Sequence, residues 1–442
     1  MTEALLQTRG TPAAEAAPGS PGAAGVRDRR ILYVTHRFPY PPNDGARVRA
    51  FHAIQHLAAR NDVTVAAPVR GEEGACVAEL EALGVRVVSA PIGRAVGLAR
   101  TCLSAGLGRS ASRGYFDQPG LRRRLRQLAA AERFDLAIVH CSAVAPYVCD
   151  LPIPVKVLDY VDVDSAKWLD YRPFANLPSK LLYSLEGHFL GRLERAMARR
   201  FDLCLTTTAF EDTSLQMLAA TEPGRPVTST VVRNGVDLDF FHPTDASYDP
   251  DRICFLGRMD YFPNEQAMVR FCADVLPRLQ AGRPNLKLTI VGADPGPFVQ
   301  ALARLPGVEV TGRVQDVRPY VWRSAATVAP LLIARGTQNK ILESMALGVP
   351  VVASTLAARG VQAQPGKHLL SASGAAETAE AVERLLQAPG ERARLAQAAR
   401  ALVERDYSWT TTMQDLESQL ASLLEDPSGT AGRSAGPSGR DL

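Results

Sequence analysis

Long apolar runs are missing from this sequence. No uninterrupted stretch in its 442 residues approaches the roughly 20 apolar residues that a membrane-spanning helix needs, so no spanning segment is expected. The seven cysteines, at 76, 102, 141, 149, 204, 254 and 272, form no CxxC pair and no Cys/His zinc spacing. That excludes a zinc module, and no metal site is expected. Cys204 and Cys254 lie inside apolar strand-like runs and fit buried free thiols of a reducing compartment. A large excess of one charge is also lacking. The formal net charge is +4, with no basic–aromatic motif, which argues against a nucleic-acid partner. The opening strand-loop-helix has no GxGxxG, so a dinucleotide cofactor has little support. Residues 1–30 are rich in Ala, Gly, Pro and Thr without the apolar centre of a signal peptide. Disordered tails are expected at 1–29 and 427–442.

What is present is an ordinary globular composition, 46% apolar and 22% charged, on a chain long enough for two domains. In the first half, strands are expected at Ile31–Thr35, Val63–Ala67, Val85–Ala90, Leu136–His140, Val155–Asp159 and Asp202–Thr207. In the second half they are expected at Ile253–Gly257, Leu286–Gly292, Val308–Gly312, Ala325–Leu332 and Val349–Ala353. Asp44 suits the N-cap of a helix from Ala46 to Arg60. The stretch from Arg94 to Leu128, with Arg122-Arg-Arg124, reads as basic and helical. It fits a solvated face or a contact with an anionic membrane surface.

The chain is most informative from 325 to 354. An apolar run is followed by a loop containing Gly336. Gln338 to Leu347 then has Ile341, Leu342, Met345 and Ala346 at helical spacing. Gly348 suits the C′ position and Pro350 forbids continuation. A second apolar, β-branched run follows. In open α/β sheets ligands bind at the carboxyl ends of strands, and a helix amino terminus placed there favours an anion. Lys340 adds a point charge for phosphate. Glu343 shares its face and, when ionised, can accept hydrogen bonds from two ribose hydroxyls. The same spacing fits an ordinary surface Lys–Glu pair.

The run Lys340-Ile-Leu-Glu343-Ser-Met-Ala-Leu-Gly-Val-Pro-Val-Val-Ala-Ser354, with Asn234-Gly-Val-Asp237, resembles glycosyltransferase family 4, the retaining GT-B nucleotide-sugar enzymes. The resemblance covers about residues 30 to 425. It implies two Rossmann-like doubly wound α/β domains facing a central cleft. The N-terminal domain, 30–242 completed by a helix at about 408–425, would take the acceptor, and 243–407 the nucleotide sugar. The position of Glu343 is the family's ribose ligand. A family glutamate eight residues earlier is replaced here by Arg335. Gly257-Arg258 resembles the family's phosphate-binding Gly-Arg, but the lysine expected five or six residues on is missing, which assigns its charge to Lys340. Arg335, Gly336, Thr337 and Asn339 complete the expected donor contacts.

In the first domain, Gly45 stands where the family lets backbone approach the donor phosphate, although a glycine there can simply permit a turn. His140, at a strand end, resembles the family's histidine near the donor sugar, although such a histidine is often structural. Asp159, Asp162 and Asp164 crowd another strand end. They fit caps of the next helix or a general base for an inverting enzyme. Asp159 to Trp168, with Glu186, Glu194 and Arg335 to Lys340, resembles the sugar transferases of PEP-CTERM/exosortase exopolysaccharide systems.

The implied function is transfer from a UDP- or GDP-linked sugar to a glycan or lipid-linked acceptor, with retention and without cofactor. The implied place is the cytoplasm, at the inner face of the membrane. The alternatives are a nucleotide-sugar 2-epimerase on the same fold or a catalytically silent nucleotide-sugar-binding subunit.

Overall fold

Two sheets made only of parallel strands organise the chain. The computed structural model describes residues 25–425; of the expected tails, 1–24 and 427–442 lie outside the described residues. Within the first expected tail, Val26 is buried, and its N–H donates to Glu417 Oε1 at 3.0 Å.

The described chain divides into two compact units. The N-terminal unit comprises residues 25–233 and 413–425, and the C-terminal unit residues 234–412. The first holds β1 (Arg30–Thr35), β2 (Asp62–Val69), β3 (Arg86–Pro91), β4 (Leu136–His140), β5 (Val155–Val161), β6 (Leu203–Thr206) and β7 (Ser229–Val231), in the order β3-β2-β1-β4-β5-β6-β7. The second holds β8 (Asp249–Leu256), β9 (Lys287–Val291), β10 (Val308–Gly312), β11 (Ser324–Ala329), β12 (Val351–Ser354) and β13 (Leu370–Ala372), in the order β10-β9-β8-β11-β12-β13. Both orders reverse direction once, at β1/β4 and at β8/β11. Such reversals open a crevice at the strands' carboxyl ends.

The central strands are apolar because both sheet faces are covered by helices. Ile31, Leu32 and Val34 in β1, and Ile253 and Phe255 in β8, have no exposed surface. Cys204 and Cys254 are likewise buried free thiols.

Several boundaries differ from expectation. The short strands β7 and β13, three residues each, have too few positions to show a period. β11 stops at Ala329 because Pro330 cannot donate to the ladder. The stretch from Arg94 breaks into three helices, Arg94–Gly106, Ala111–Phe116 and Pro119–Ala131. Gly108, at φ +67°, turns the chain, Ser110 caps the second helix, and Pro119 opens the third. Among the described residues, no helix is long and apolar enough to cross a membrane.

Candidate functional site

In the C-terminal unit, the carboxyl ends of β8 and β9 approach each other unusually closely. Gly257 N–H donates to Val291 O at 3.1 Å, and Met259 N–H to Ala293 O at 2.8 Å. A Cβ on Gly292 would lie 1.7 Å from Gly257 O, which is backbone and cannot move aside cheaply. Gly292→Ala is therefore expected to destabilise the protein by about 1–3 kcal/mol or more through overpacking, read as a lower urea midpoint.

Gly257 leaves room for Asn264. A Cβ at 257 would meet Asn264 Nδ2 at 2.6 Å and Lys340 Cε at 3.4 Å. Asn264 is buried; its Nδ2 donates to Arg258 O at 2.8 Å, and its Oδ1 accepts from Lys340 Nζ at 2.7 Å. Asn264 was not singled out as a ligand in sequence, yet it stands six residues after Arg258, where the family lysine is missing. The available signal was this offset. The structure puts the Lys340 ammonium on that residue, 5.0 Å from the centroid of the Phe255 ring.

Lys340 belongs to the helix Asn339–Ala346. Gly336, at φ +58°, turns the chain into it, and Gln338 Nε2 donates back to Arg335 O at 2.8 Å. Gly360 permits this loop, since a Cβ there would lie 2.3 Å from Gly336 O. The N-cap residue is Gln338, and no side chain caps the helix. Ile341 N–H donates to Gln338 O at 2.9 Å, which leaves the first-turn N–H groups of Asn339 and Lys340 to face an anion. Thr337 Oγ1 is buried beside them without a hydrogen-bond partner among the described residues. Asn339 Oδ1 lies 3.5 Å from Asn234 Nδ2, so the Asn-Gly-Val-Asp motif supports this helix. Gly235 packs against Trp409, and Val236 N–H donates to Tyr407 O at 2.8 Å. The C′ position is Gly348, at φ +72°, as the sequence predicts.

Protein surrounds the Lys340 and Glu343 side chains although each keeps some exposed surface. Burial pushes the Lys340 ammonium down to about 8, against the attraction of Glu343. Burial pushes the Glu343 carboxyl up to about 7, against the attraction of Lys340. Both groups therefore titrate near neutrality, a property that clusters at functional sites.

Arg258 is half exposed. Its guanidinium donates to Asp260, through Nη2 at 2.7 Å, and to Asp294 at 3.3 Å. Arg313 reaches the same Asp294 at 3.1 Å. Arg258 is thus partly neutralised, and Lys340 presents the less compensated cation.

In the N-terminal unit, ladder register puts Thr35, His140 and Asp159 in one row at the carboxyl ends of β1, β4 and β5. His140 is buried, and its ring stacks on that of His36 with centroids 5.9 Å apart. Neither ring nitrogen of His140 has a hydrogen bond among the described residues; Nδ1 lies 3.6 Å from Asp159 Oδ2. Burial, with the neighbouring His140, holds His36 far below the usual imidazole range.

Asp159 is committed to Arg49, which donates to it through Nε at 2.7 Å and Nη2 at 3.3 Å. Burial alone would raise this carboxyl, but Arg49 and His140 together hold it well below the usual range. Arg49 Nη1 also donates to Arg233 O at 3.0 Å. Arg49 escapes sequence reading because its partner lies 110 positions away.

Asp162 and Asp164 do not cap the following helix. Its N-cap is Val163, and the carboxylates that serve its backbone come from other helices: Glu211 accepts from Val163 N–H at 2.8 Å and Glu194 from Ser165 N–H at 3.3 Å. Burial, then the Glu211 charge, pushes Asp162 up to about 7. Burial, then Asp164, pushes Glu194 up to about 8. Gly45 opens the helix Gly45–Ala58, whose amino end is already capped by Asp44, 3.0 Å from Arg47 N. Glu186 caps a different helix, accepting from Ser110 Oγ at 2.8 Å and Ser112 N–H at 3.0 Å.

Residues 250–388 match the family model described as glycosyl transferases group 1. The D-inositol 3-phosphate glycosyltransferase of Frankia alni is 28% identical over 214 residues, 43% of this chain and 52% of that protein. That of Rhodococcus erythropolis is 27% identical over 248 residues, 50% of this chain and 54% of that protein. The chain thus spans about half the length of the curated relatives it matches.

Among solved structures, HepE of Anabaena in complex with UDP shares the fold at TM-score 0.64 and 15% identity, with 89% of this chain and 100% of that one covered. Sucrose-phosphate synthase of Thermosynechococcus elongatus does so at TM-score 0.68 and 15% identity, covering 90% and 99%. Both show the two-sheet GT-B fold. Over residues 250–388 this chain is thus similar to the group 1 glycosyltransferases, and as a whole it has the GT-B fold.

Proposed function

We propose that this protein transfers a sugar from a nucleotide-sugar donor to a glycan or lipid-linked acceptor, with the donor held by the C-terminal unit. The observation that carries this is the Lys340 ammonium, set by Asn264 beside a helix amino terminus without a side-chain cap. As the anomeric C–O bond breaks, its electron pair passes to the outer phosphate oxygen of the leaving diphosphate, the acceptor oxygen bonds to the anomeric carbon, and the acceptor's proton leaves on that phosphate oxygen. Lys340 and the N–H groups of the first helical turn stabilise that charge, which is electrostatic catalysis. Glu343, one turn on, accepts from the ribose hydroxyls. UDP is the favoured nucleotide, because HepE has been solved with UDP and with UDP-glucose.

Retention is the stereochemistry we favour, since Asp159 is held by Arg49 and gives no free base. Asp162, pushed up to about 7, is the one carboxyl of that strand end suited to take an acceptor proton near neutral pH. An inverted product abolished by Asp162→Asn would assign it that role. The exopolysaccharide setting at the cytoplasmic face rests on the resemblance of Asp159 to Trp168 and Arg335 to Lys340.

Incubation with a panel of UDP- and GDP-sugars tests the reading. Thermal stabilisation by one nucleotide class, and release of its diphosphate only when acceptor is present, are expected. An epimerised nucleotide sugar without acceptor would replace transfer by epimerisation.

Donor affinity should also depend on pH in a bell. Above about 8 Lys340 loses its proton, and below about 7 Glu343 gains one, so binding weakens on both sides. The two limbs belong to the interacting pair rather than to either residue alone. Calorimetry with UDP-glucose avoids titration of a terminal phosphate. A flat profile from pH 6 to 9 would remove the assignment of the pair.

A further inference from the structure

The N-terminal unit exposes far more leucine than its fold requires. The helix Leu177–Ala198 begins with Leu177 at 82% exposure, Leu181 at 63%, Leu182 at 55% and Leu185 at 45%. Leu177, Leu181 and Leu185 follow one another at i, i+4 and i+8, so they form a stripe along one face. The later turns of the same helix are buried, through Leu190, Leu193 and Met197. The helix therefore packs by its second half and presents its first half to the surroundings.

A second apolar surface adjoins it. The helix Arg94–Gly106 leaves Leu103 64% exposed, and Leu107 just beyond it 61% exposed. Glu186 fastens the turn that follows onto the first helix, through Ser110 Oγ, Ala111 N–H and Ser112 N–H. A Cβ on Gly108 would touch the Phe189 ring at 3.7 Å. Leu182, Leu185 and Phe189 share a helical face with Glu186, so the two leucine surfaces are tied together at that point.

The segments that carry these leucines bear charge of one sign. Neither 82–116 nor 171–185 contains a single Asp or Glu. Arg94, Arg172 and Lys180 are exposed in those segments. In the 122–124 run, Arg122 pairs with Asp117 at 2.8 Å and Arg124 donates to Ser89 O, while Arg123 is exposed.

We infer that this face is a docking surface for an anionic lipid bilayer, with the amino-terminal half of Leu177–Ala198 lying in the plane of the headgroups. A bilayer accepts the leucines into its acyl boundary while its headgroups neutralise the basic rim. The inference stands on exposure and charge alone and is independent of the transferase reading.

Flotation of the full-length protein with phosphatidylcholine vesicles containing phosphatidylglycerol tests it. The protein is expected to float at low salt, and to be released at high salt or when phosphatidylglycerol is omitted. The triple variant Leu177→Ser, Leu181→Ser, Leu182→Ser replaces exposed side chains only. It should keep the wild-type melting temperature and UDP binding, while its ratio of bound to free protein falls roughly tenfold or more. Absence of flotation of the wild type on anionic vesicles at low salt would overturn the inference, as would undiminished flotation of the variant. A wild-type dimer that the variant abolishes, without any vesicle binding, would instead make the face a contact with a second copy. Loss of UDP binding in the wild type would touch only the transferase reading.

Discussion

Lys340→Met should lower kcat/KM for sugar transfer by about 10-fold to 150-fold, the loss of one charge-assisted contact worth roughly 1.5–3 kcal/mol. The same change should leave the unliganded protein as stable as wild type or more so. The reason lies in what surrounds the ammonium. Burial disfavours its charge, and its hydrogen-bond partner at 2.7 Å is the neutral amide of Asn264. A methionine fills the space against Phe255 without that desolvation cost, which offsets the lost contacts with Asn264 and the Glu343 charge. In the proposed function its charge acts when an anion arrives, and binding residues often cost stability in this way. A structural lysine behaves oppositely: its loss would lower stability and leave transfer unchanged. Thermal melting without ligand, beside steady-state kinetics, separates the two.

Arg49→Ala should destabilise the N-terminal unit by about 3–5 kcal/mol, because it strands a buried carboxylate. Both side chains are nearly inaccessible, at 2% for Arg49 and 5% for Asp159. Asp159 is held far below its usual range once Arg49 and His140 outweigh burial. Its contribution to stability is therefore present above the unfolded-state value, near about 3.9, and is lost as pH falls through the folded value. In Arg49→Ala that dependence should reverse, with acidification relieving the stranded charge. Asp159→Asn in the Arg49→Ala background should restore part of the loss. Urea unfolding at pH 3, 5 and 8 gives all three comparisons, and equal effects of the single and double variants would contradict the pairing.

Much of this fold was legible because its central strands are short, apolar and β-branched, and are separated by helical periods. The strand-loop-helix-strand unit ending at Ser354 was legible in detail, down to Gly348 at positive φ. Edge strands β7 and β13 were not, because three residues carry no periodicity. At the candidate site, Lys340 and Glu343 announced themselves by spacing and by resemblance. Asn264 did not, since a neutral amide carries no signal until the loop after β8 folds it under Lys340. Arg49 was hidden for another reason: its partner is supplied by β5, far along the chain, and only the shared row of β1, β4 and β5 brings them together. The acidic run at 159–164 misled in part, because its carboxylates look like caps while Glu194 and Glu211 do the capping.

In the proposed function a nucleoside diphosphate seats at the amino end of the helix Asn339–Ala346. A crystal structure of the protein with UDP tests it most directly. The prediction is a diphosphate within hydrogen-bond distance of Lys340 Nζ and of first-turn backbone N–H groups, with the ribose hydroxyls on Glu343. Diphosphate density at any other place, with the Lys340–Asn264 contact undisturbed, would contradict it.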